Sequence, residues 1–346
     1  MECWASPHLP NTPTLHLSNS GVMFAMAIAT DDAPLVRDLK SLAGLKLKLA
    51  EPLARYTSMK IGGPADYFIE VENSTVLAAT LQLLHRFNVA VTLLGNGSNV
   101  LVSDRGVRGA VIRLAGEFKK ITWQDEGDFI RVQVGAAYAV TLFVREAARK
   151  GYAGLEFAEG IPGSVGGALV MNAGAYGSEF ERVVEQVEAV SPTGAPILFT
   201  RAQMTFSYRD SHLPAGTVVT RVTLRLRKAD ADEVSSKLRT LVGKRKSSQP
   251  SGYPNSGSMF RNPPGDFAGR LIESVGLKGR RVGQAQISER HANFIVNLGG
   301  AQATHVRQLM DLARAEVKRQ FTVELIAEVK LMGEWEESEL TTKVTK

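Results

Sequence analysis

Residues 160–177 read GIPGSVGGALVMNAGAYG, with six glycines and no charged side chain. A surface loop rarely concentrates glycine in this way, whereas a backbone that lies against a pyrophosphate needs the absence of side chains. The stretch therefore favours a ligand cradle over an irregular turn.

A second glycine-rich turn lies upstream at residues 94–99, LGNGSN, between two strand-like runs. Glycine permits positive φ and close approach to a ligand, and the side chains of Ser98 and Asn99 can bind phosphate oxygens. A plain hairpin turn explains the same residues equally well. The spacing matches neither the dinucleotide fingerprint G-x-G-x-x-G before a helix nor a Walker P-loop.

Composition limits the kind of chemistry that the chain can perform. Its 346 residues are 44% hydrophobic and 22% charged, as in ordinary globular proteins, and the net charge of +6 favours anionic partners. The basic residues are scattered, with one dense run at 244–246, and this disfavours nucleic acid. Cys3 is the only cysteine, which excludes an internal disulfide, a thiolate metal site and a dithiol redox pair, so redox chemistry needs a bound cofactor.

A membrane span or a secretory signal would show in the apolar stretches and in the first residues of the chain. No apolar stretch approaches the roughly 20 residues that span a bilayer, and the first residues lack the basic start of a secretory signal. These features predict a cytoplasmic protein. Residues 1–34 show no periodicity and predict a loose extension, in which Met23 or Met26 is a candidate start.

Three blocks follow this extension, at residues 35–115, 116–230 and 231–346. The periodicity predicts helices at Val76–Phe87, Ala139–Lys150, Ala231–Lys246, Asp266–Val275 and Thr304–Gln320. It predicts strands at Tyr67–Val71, Val89–Leu94, Val100–Val102, Phe129–Val134, Val183–Val190, Val218–Arg227, Ala292–Asn297 and Thr322–Met332.

Three polar segments are candidates for chemistry, although each has an ordinary explanation. Residues 208–211, YRDS, and 257–263, GSMFRNP, fit a surface ion pair and a turn. The last predicted strand alternates, with Glu324 and Glu328 on its polar face. Pattern alone favours a solvated face there.

Taken together, these segments resemble the UDP-N-acetylenolpyruvoylglucosamine reductase family, from about Tyr56 to Gly333. The resemblance is carried by residues 56–66, YTSMKIGGPAD, by both glycine loops, by 208–211, by 256–263, SGSMFRNP, and by 291–297, HANFIVN. Because several independent motifs occur in the same order, the probability of a chance agreement is small.

The resemblance implies an α+β fold in which a two-part FAD-binding module of the vanillyl-alcohol-oxidase type, residues 35–115 and 116–230, precedes an α/β substrate-binding domain. FAD is expected to bind noncovalently across the glycine loops. The residues expected to contact it are Thr57, Gly95, Asn96, Gly97, Ser98, Asn99, Ile161, Gly163, Ser164, Gly167, Ala168, Asn172, Gly174 and Ala175.

The implied activity is the reduction of UDP-N-acetylglucosamine enolpyruvate to UDP-N-acetylmuramate, in which NADPH reduces FAD before the substrate enters the same cleft. The family's catalytic positions fall on Arg209, Ser258 and Glu328. Arg209 is expected to stabilise negative charge beside the substrate carboxylate, and Ser258 to protonate the carbanionic carbon. Glu328 is expected to hold the carboxylate end if it is protonated or bridged by Arg209.

The resemblance also places the substrate against Lys246, Asn262 and Tyr176. Two features depart from the family pattern. Arg261 stands where lysine is frequent, which changes the donor geometry. The short interval from Arg209 to Ser258 resembles a subgroup that lacks a tyrosine-bearing loop, for which Tyr253 is a candidate replacement.

Two alternatives stay open at this point. One is a flavin-dependent sugar or alcohol oxidase on the same module, which would use oxygen; covalent flavin is common there, and neither glycine loop contains histidine or cysteine. The other is a non-catalytic protein that binds a nucleotide sugar or nucleic acid. A flavin absorbance band at about 450 nm would exclude the second alternative.

Overall fold

The computed structural model describes residues 33–335. The extension expected at 1–34, with Met23 and Met26, lies outside the described residues except at its end, where Pro34 begins the first helix. The helices are α1 Pro34–Lys40, α2 Ser74–Arg86, α3 Val140–Arg149, α4 Val165–Val170, α5 Ala231–Ser248, α6 Ala268–Ser274 and α7 Ala303–Phe321.

The strands alternate with these helices along the described chain. They are β1 Leu45–Pro52, β2 Pro64–Val71, β3 Val91–Leu93, β4 Val100–Val102, β5 Val107–Leu114, β6 Ile121–Glu126, β7 Phe129–Gly135, β8 Tyr152–Ala153, β9 Gly174–Ala175, β10 Ser178–Glu179, β11 Val184–Val190, β12 Pro196–Thr200, β13 Val218–Lys228, β14 Asn255–Ser258, β15 Arg281–Val282, β16 Ala285–Ile287, β17 Phe294–Asn297 and β18 Lys330–Met332.

The first sheet has the strand order β1-β2-β5-β3, in which β2 and β3 run parallel to β5. Helix α2 covers it because its apolar residues recur every three to four positions, so that Leu77, Leu81 and Leu84 share one buried face. The side chain of Asn73 accepts from the Val76 N–H and begins this helix. The parallel pairing brings β3 to the sheet edge, and the first glycine loop follows it.

The second sheet is antiparallel in the order β12-β11-β13-β7-β6. Phe143 and Ala147 of α3 pack on it, and Val222 and Leu224 of β13 face the same core. Helix α5 also packs on this second core through Leu238, although its residues open the third predicted block. The boundary expected at 230/231 therefore stays a prediction.

The third sheet, in the order β14-β17-β16-β15, packs with α6 and α7 around a core that includes Ile295 and Leu309. Asp104, which follows β4, accepts from the backbone N–H groups of Ala303 and Thr304 at the start of α7. Strand β18 pairs parallel with β4. These contacts fix the third sheet against the first. The space between the two sheets forms a cleft.

The strand predicted at Thr322–Met332 is wrong for most of its length, because only Lys330–Met332 forms a strand. The upstream part meets the segment after β14 instead of a sheet: Ala327 forms an isolated bridge with Phe260, and Arg261 N–H donates to the Ile326 carbonyl. Burial still alternates, with Leu325 and Val329 buried. The pattern therefore predicted the direction of the side chains but not the backbone partner.

The remaining predicted elements differ from the structure by no more than three residues at either end, as helix and strand limits commonly do. None of the helices within residues 33–335 combines the length and apolarity needed to cross a bilayer.

Candidate active site

A cleft of about 570 Å³ lies where the three sheets meet. Its walls include residues 95–99, 161–164, 166–168 and 173–175, together with Arg209, Ser258 and Glu328. Both glycine loops and the three candidate catalytic residues therefore face one space, although they are distant in the sequence.

The first glycine loop connects β3 to β4 and is held against residues 56–58. Gly97 has φ +63°, and a Cβ on it would lie 2.2 Å from the carbonyl oxygen of Tyr56. No other residue fits this position without moving the backbone, because both the conformation and the space exclude a side chain. The loop ends at Asn99, whose Nδ2 donates to the Glu328 carbonyl over 3.2 Å.

The second glycine loop touches the first. Ser98 Oγ donates to the Pro162 carbonyl over 3.1 Å, and a Cβ on Gly163, at φ +125°, would lie 2.8 Å from Ser98 Oγ. A Cβ on Gly95 would in turn lie 2.7 Å from Ser164 Oγ. The two loops thus meet at glycines. As a result, backbone atoms and not side chains form this wall of the cleft.

Arg209 occupies the second inner position of a tight turn in which Ser207 and Asp210 exchange backbone hydrogen bonds. Its φ of +62° is uncommon for any residue with a Cβ. The guanidinium Nε donates to Glu328 Oε1 over 3.0 Å, and Nη2 donates to the Gly174 carbonyl over 3.0 Å. Strain of this kind persists where surrounding contacts fix the conformation.

Glu328 is placed through its backbone. Its N–H donates to the Met259 carbonyl over 2.8 Å, while its own carbonyl accepts from Asn99. Burial raises the pKa of the Glu328 carboxyl, and the neighbouring cations of Arg209 and Arg261 oppose this rise. The site therefore holds a carboxyl that is easier to protonate than an exposed one and is also bridged by a guanidinium.

Ser258 is the last residue of β14 and lines the cleft half-buried. The next residue, Met259, accepts from Glu328 N–H and donates its own N–H to the Asn293 carbonyl over 2.8 Å. Ser258 and Glu328 therefore lie on adjacent backbone segments. The structure brings together all three residues to which the family resemblance assigns catalysis.

Two of the expected FAD contacts do not line the cleft. The hydroxyl of Thr57 donates to the Ile61 carbonyl over 2.9 Å, inside the loop before β2. Asn172 is fully buried, and its side chain bonds to Glu179, Ser207 and Glu181. Both side chains hold loops in this structure, and their contact with FAD stays a prediction. The other twelve expected contacts do line the cleft.

The three expected substrate contacts also lie off the cleft wall. Lys246 is exposed on α5, and Asn262 accepts from the Ala268 N–H at the start of α6. Tyr176 is 48% exposed, and its hydroxyl donates to the Leu241 carbonyl of α5 over 3.3 Å. Tyr253, the candidate lid residue, is likewise exposed and lies off the wall.

Sequence reasoning missed Arg245, which lines the cleft beside Gly160, whose Cβ would lie 2.7 Å from Arg245 Cδ. Its Nε donates to Gln249 Oε1 over 3.0 Å. A signal was present, because Val234, Leu238, Leu241 and Arg245 recur at helical spacing on one face of α5. Lys246 is one position out of phase with that face.

In a comparison with known proteins, two family models match separate parts of the chain. The family described as FAD binding domain matches residues 65–199, and the family described as UDP-N-acetylenolpyruvoylglucosamine reductase, C-terminal domain, matches residues 249–332. These matches confirm the expected FAD-binding module and the distinct C-terminal domain.

Curated relatives match over most of their length. UDP-N-acetylenolpyruvoylglucosamine reductase 2 of Symbiobacterium thermophilum is 47% identical over 83% of this chain and 92% of its own. The reductase of Myxococcus xanthus is 43% identical over 87% and 97%. A crystal structure of UDP-N-acetylenolpyruvylglucosamine reductase (MurB) from Thermus caldophilus superposes with a TM-score of 0.72, at 40% identity, over 83% of this chain and 99% of that one.

The cleft fits the cofactor that the FAD-binding match implies. The glycines of its wall leave no room for side chains, so the backbone itself can approach a pyrophosphate. Apolar residues such as Ile161 and Phe294 line other parts of the same space, as a flavin ring requires.

Proposed function

Since the chain belongs to the UDP-N-acetylenolpyruvoylglucosamine reductase family, we propose that it reduces UDP-N-acetylglucosamine enolpyruvate to UDP-N-acetylmuramate, with NADPH as the reductant. This reaction supplies a peptidoglycan precursor. The cytoplasmic location predicted from the sequence belongs to the same proposal.

One observation carries the proposal: Arg209, Ser258 and Glu328, from three separate segments, converge on the cleft that the glycine loops enclose. When bound and reduced by NADPH, FAD would supply a hydride to the alkene of the substrate. The protein must then stabilise the negative charge that develops beside the substrate carboxylate and deliver a proton.

Arg209 is suited to the first task because its guanidinium is held in place before the substrate arrives. A preorganised cation stabilises developing charge better than water, which has to reorient. Its Nε hydrogen bond to Glu328 fixes the direction, and the side chain is only 18% exposed, so competition from solvent is limited.

Glu328 would repel the substrate carboxylate if it were a bare anion. The Arg209 bridge and the pKa raised by burial both reduce that repulsion. We therefore assign Glu328 to holding and polarising the carboxylate end, in its protonated or guanidinium-bridged form.

Ser258 is assigned to the final proton transfer. A hydroxyl is a weak acid, but the carbon that accepts the proton is strongly basic, so the transfer is feasible once the geometry is fixed. Its neighbour Met259 is tied to both Glu328 and Asn293, which limits movement of the serine backbone.

The experiment combines NADPH, the enolpyruvyl substrate and the purified flavoprotein. We expect NADPH oxidation that depends on the substrate, and a product heavier by two hydrogens. Oxidation that proceeds with oxygen alone, without change in the UDP sugar, would contradict the proposal and favour an oxidase.

A further inference from the structure

Asn172 is saturated by contacts inside the protein. It is 0% exposed and has φ +39°, a conformation rare for a residue with a side chain. Its Nδ2 donates to Glu179 Oε2 over 2.8 Å and to the Ser207 carbonyl over 3.1 Å, and its Oδ1 accepts from Glu181 N–H over 3.1 Å. Both amide hydrogens are therefore committed before any ligand binds.

Glu179 connects this amide to the guanidinium in the cleft. While its Oε2 accepts from Asn172, its Oε1 lies 3.8 Å from Arg209 Nη1. The β9–β10 hairpin sets this geometry, because its register pairs Glu179 with Gly174, whose carbonyl accepts from Arg209 Nη2. The hairpin thus presents two acceptors to the Nη1 and Nη2 groups of the guanidinium.

The other Asn172 contact reaches the turn that carries Arg209. Ser207, whose carbonyl accepts from Asn172, is the first residue of that turn, and Arg209 follows two positions later in a left-handed conformation. One buried side chain therefore holds both the backbone that carries Arg209 and the carboxylate that faces its guanidinium.

We propose that Asn172 and Glu179 are positioning residues, which aim the Arg209 guanidinium at the substrate carboxylate and hold it there through the reaction. The inference rests on the proposed function for the identity of that substrate. It gives Asn172 a role that acts through Arg209 and not through contact with FAD.

The charge of Glu179 affects the pKa of Glu328, and a purely structural role of Glu179 would leave that pKa unchanged. Arg209 lies between the carboxylates of Glu179 and Glu328, and the other charged groups near them are Arg261, Asp210 and Lys330. Glu179→Gln keeps an oxygen that can accept from Asn172 but removes one negative charge. Arg209 then stabilises ionised Glu328 more strongly, so the pKa of Glu328 falls.

The test compares holoenzymes of the wild type, Asn172→Asp, Glu179→Gln and Glu181→Gln by stopped-flow absorbance. Asn172→Asp keeps the size but loses both donors, and Glu181→Gln is the matched control, since that carboxylate faces Arg201 at 3.9 Å. We expect the first two changes to slow reoxidation of the flavin by the enolpyruvyl substrate, on the order of a hundredfold at saturation. Reduction by NADPH should stay within about threefold of wild type, and the control should match wild type in both reactions.

The pH profile of reoxidation and a crystal structure of the Glu179→Gln holoenzyme complete the test. We expect the limb governed by Glu328 to move to lower pH and the guanidinium to leave its wild-type position. If the guanidinium of the Glu179→Gln variant keeps its wild-type position and its flavin is reoxidised at the wild-type rate, the positioning role is overturned. If Asn172→Asp fails to bind flavin, Glu179→Gln decides the matter alone. A wild type that is inactive on this substrate contradicts the proposed function instead, and the crystal structure still tests the positioning role.

Discussion

Glu328 shows most directly how one residue's surroundings decide its role. Glu324, four positions earlier on the same alternating segment, has a side chain that is 67% exposed, whereas that of Glu328 is 18% exposed and bonds to Arg209. The difference arises because residues 326–329 run beside 259–261, which closes the cleft over Glu328.

We expect Glu328→Gln to keep the fold and flavin binding but to slow turnover roughly a thousandfold or more, because a transition-state contact is weakened. Glu324→Gln is the matched control and should behave as a surface substitution, within about 0.5 kcal/mol in stability and without a kinetic effect. Steady-state assays of both variants side by side decide between the readings. Near-wild-type turnover in both would remove Glu328 from the site.

The same residue predicts a pH dependence of stability. Burial raises the pKa of Glu328 above its unfolded value, so the native state binds this proton more tightly than the unfolded state does. Ionisation therefore costs stability, beginning near the ordinary glutamate pKa of about 4.3 and reaching its full extent above the raised pKa.

Glu328→Gln removes that cost. Its melting temperature relative to wild type should rise as the pH increases through this window, and thermal unfolding at several pH values measures the trend. A difference between the two proteins that is constant with pH would show that the carboxyl titrates normally.

At the scale of elements, the glycine loops were predictable because a concentration of glycine directly indicates a backbone that lies close to a ligand or takes positive φ. Within residues 33–335, five of the seven helices were predicted, together with β2, β3, β4, β7, β11, β13 and β17, because periodicity reflects one buried face. The strand at 322–332 was not, because a sequence pattern cannot show whether its neighbour is a sheet or an irregular segment. Arg245 was missed because the basic run at 244–246 fits a solvated helix end and the family resemblance points to Lys246, whereas helical phase places Arg245 on the cleft.

Gly97 tests whether the first glycine loop needs glycine for space as well as for conformation. We expect Gly97→Ala to destabilise the protein by about 2–4 kcal/mol and to weaken FAD binding, because the new methyl group meets the Tyr56 carbonyl. Gly127→Ala is the control: φ is +75° there too, but nothing lies within 4 Å, so the cost should be about 1 kcal/mol. Denaturant unfolding and flavin titration measure both. Equal costs at the two positions would refute the steric account.

At the scale of the whole molecule, the cleft exists because contacts between separate units hold three sheets together. Candidate catalytic residues from distant segments could be brought together from sequence only through the family resemblance, since periodicity carries no information about such long-range contacts. The substrate contacts expected at Lys246, Asn262 and Tyr176 stay predictions, since all three lie off the cleft wall and only a substrate complex can test them.

FAD should be released intact by acid precipitation, because neither glycine loop contains a histidine or cysteine to which a flavin could be attached. Free FAD should also raise the melting temperature of the apoprotein in proportion to the logarithm of its concentration, as a ligand that binds only the folded state must. Fluorescence of the supernatant and thermal unfolding measure these effects. Flavin retained in the pellet would indicate a covalent bond and support the oxidase alternative.

The central claim is that Arg209, Ser258 and Glu328 act together on the enolpyruvyl substrate in a cleft that NADPH also uses. Stopped-flow absorbance of Ser258→Ala tests it most directly, because the serine acts only after FAD has been reduced. We expect reduction by NADPH at close to the wild-type rate and reoxidation by the enolpyruvyl substrate slowed roughly a hundredfold or more. Equal loss of both rates, or a wild-type rate of reoxidation, would contradict the account.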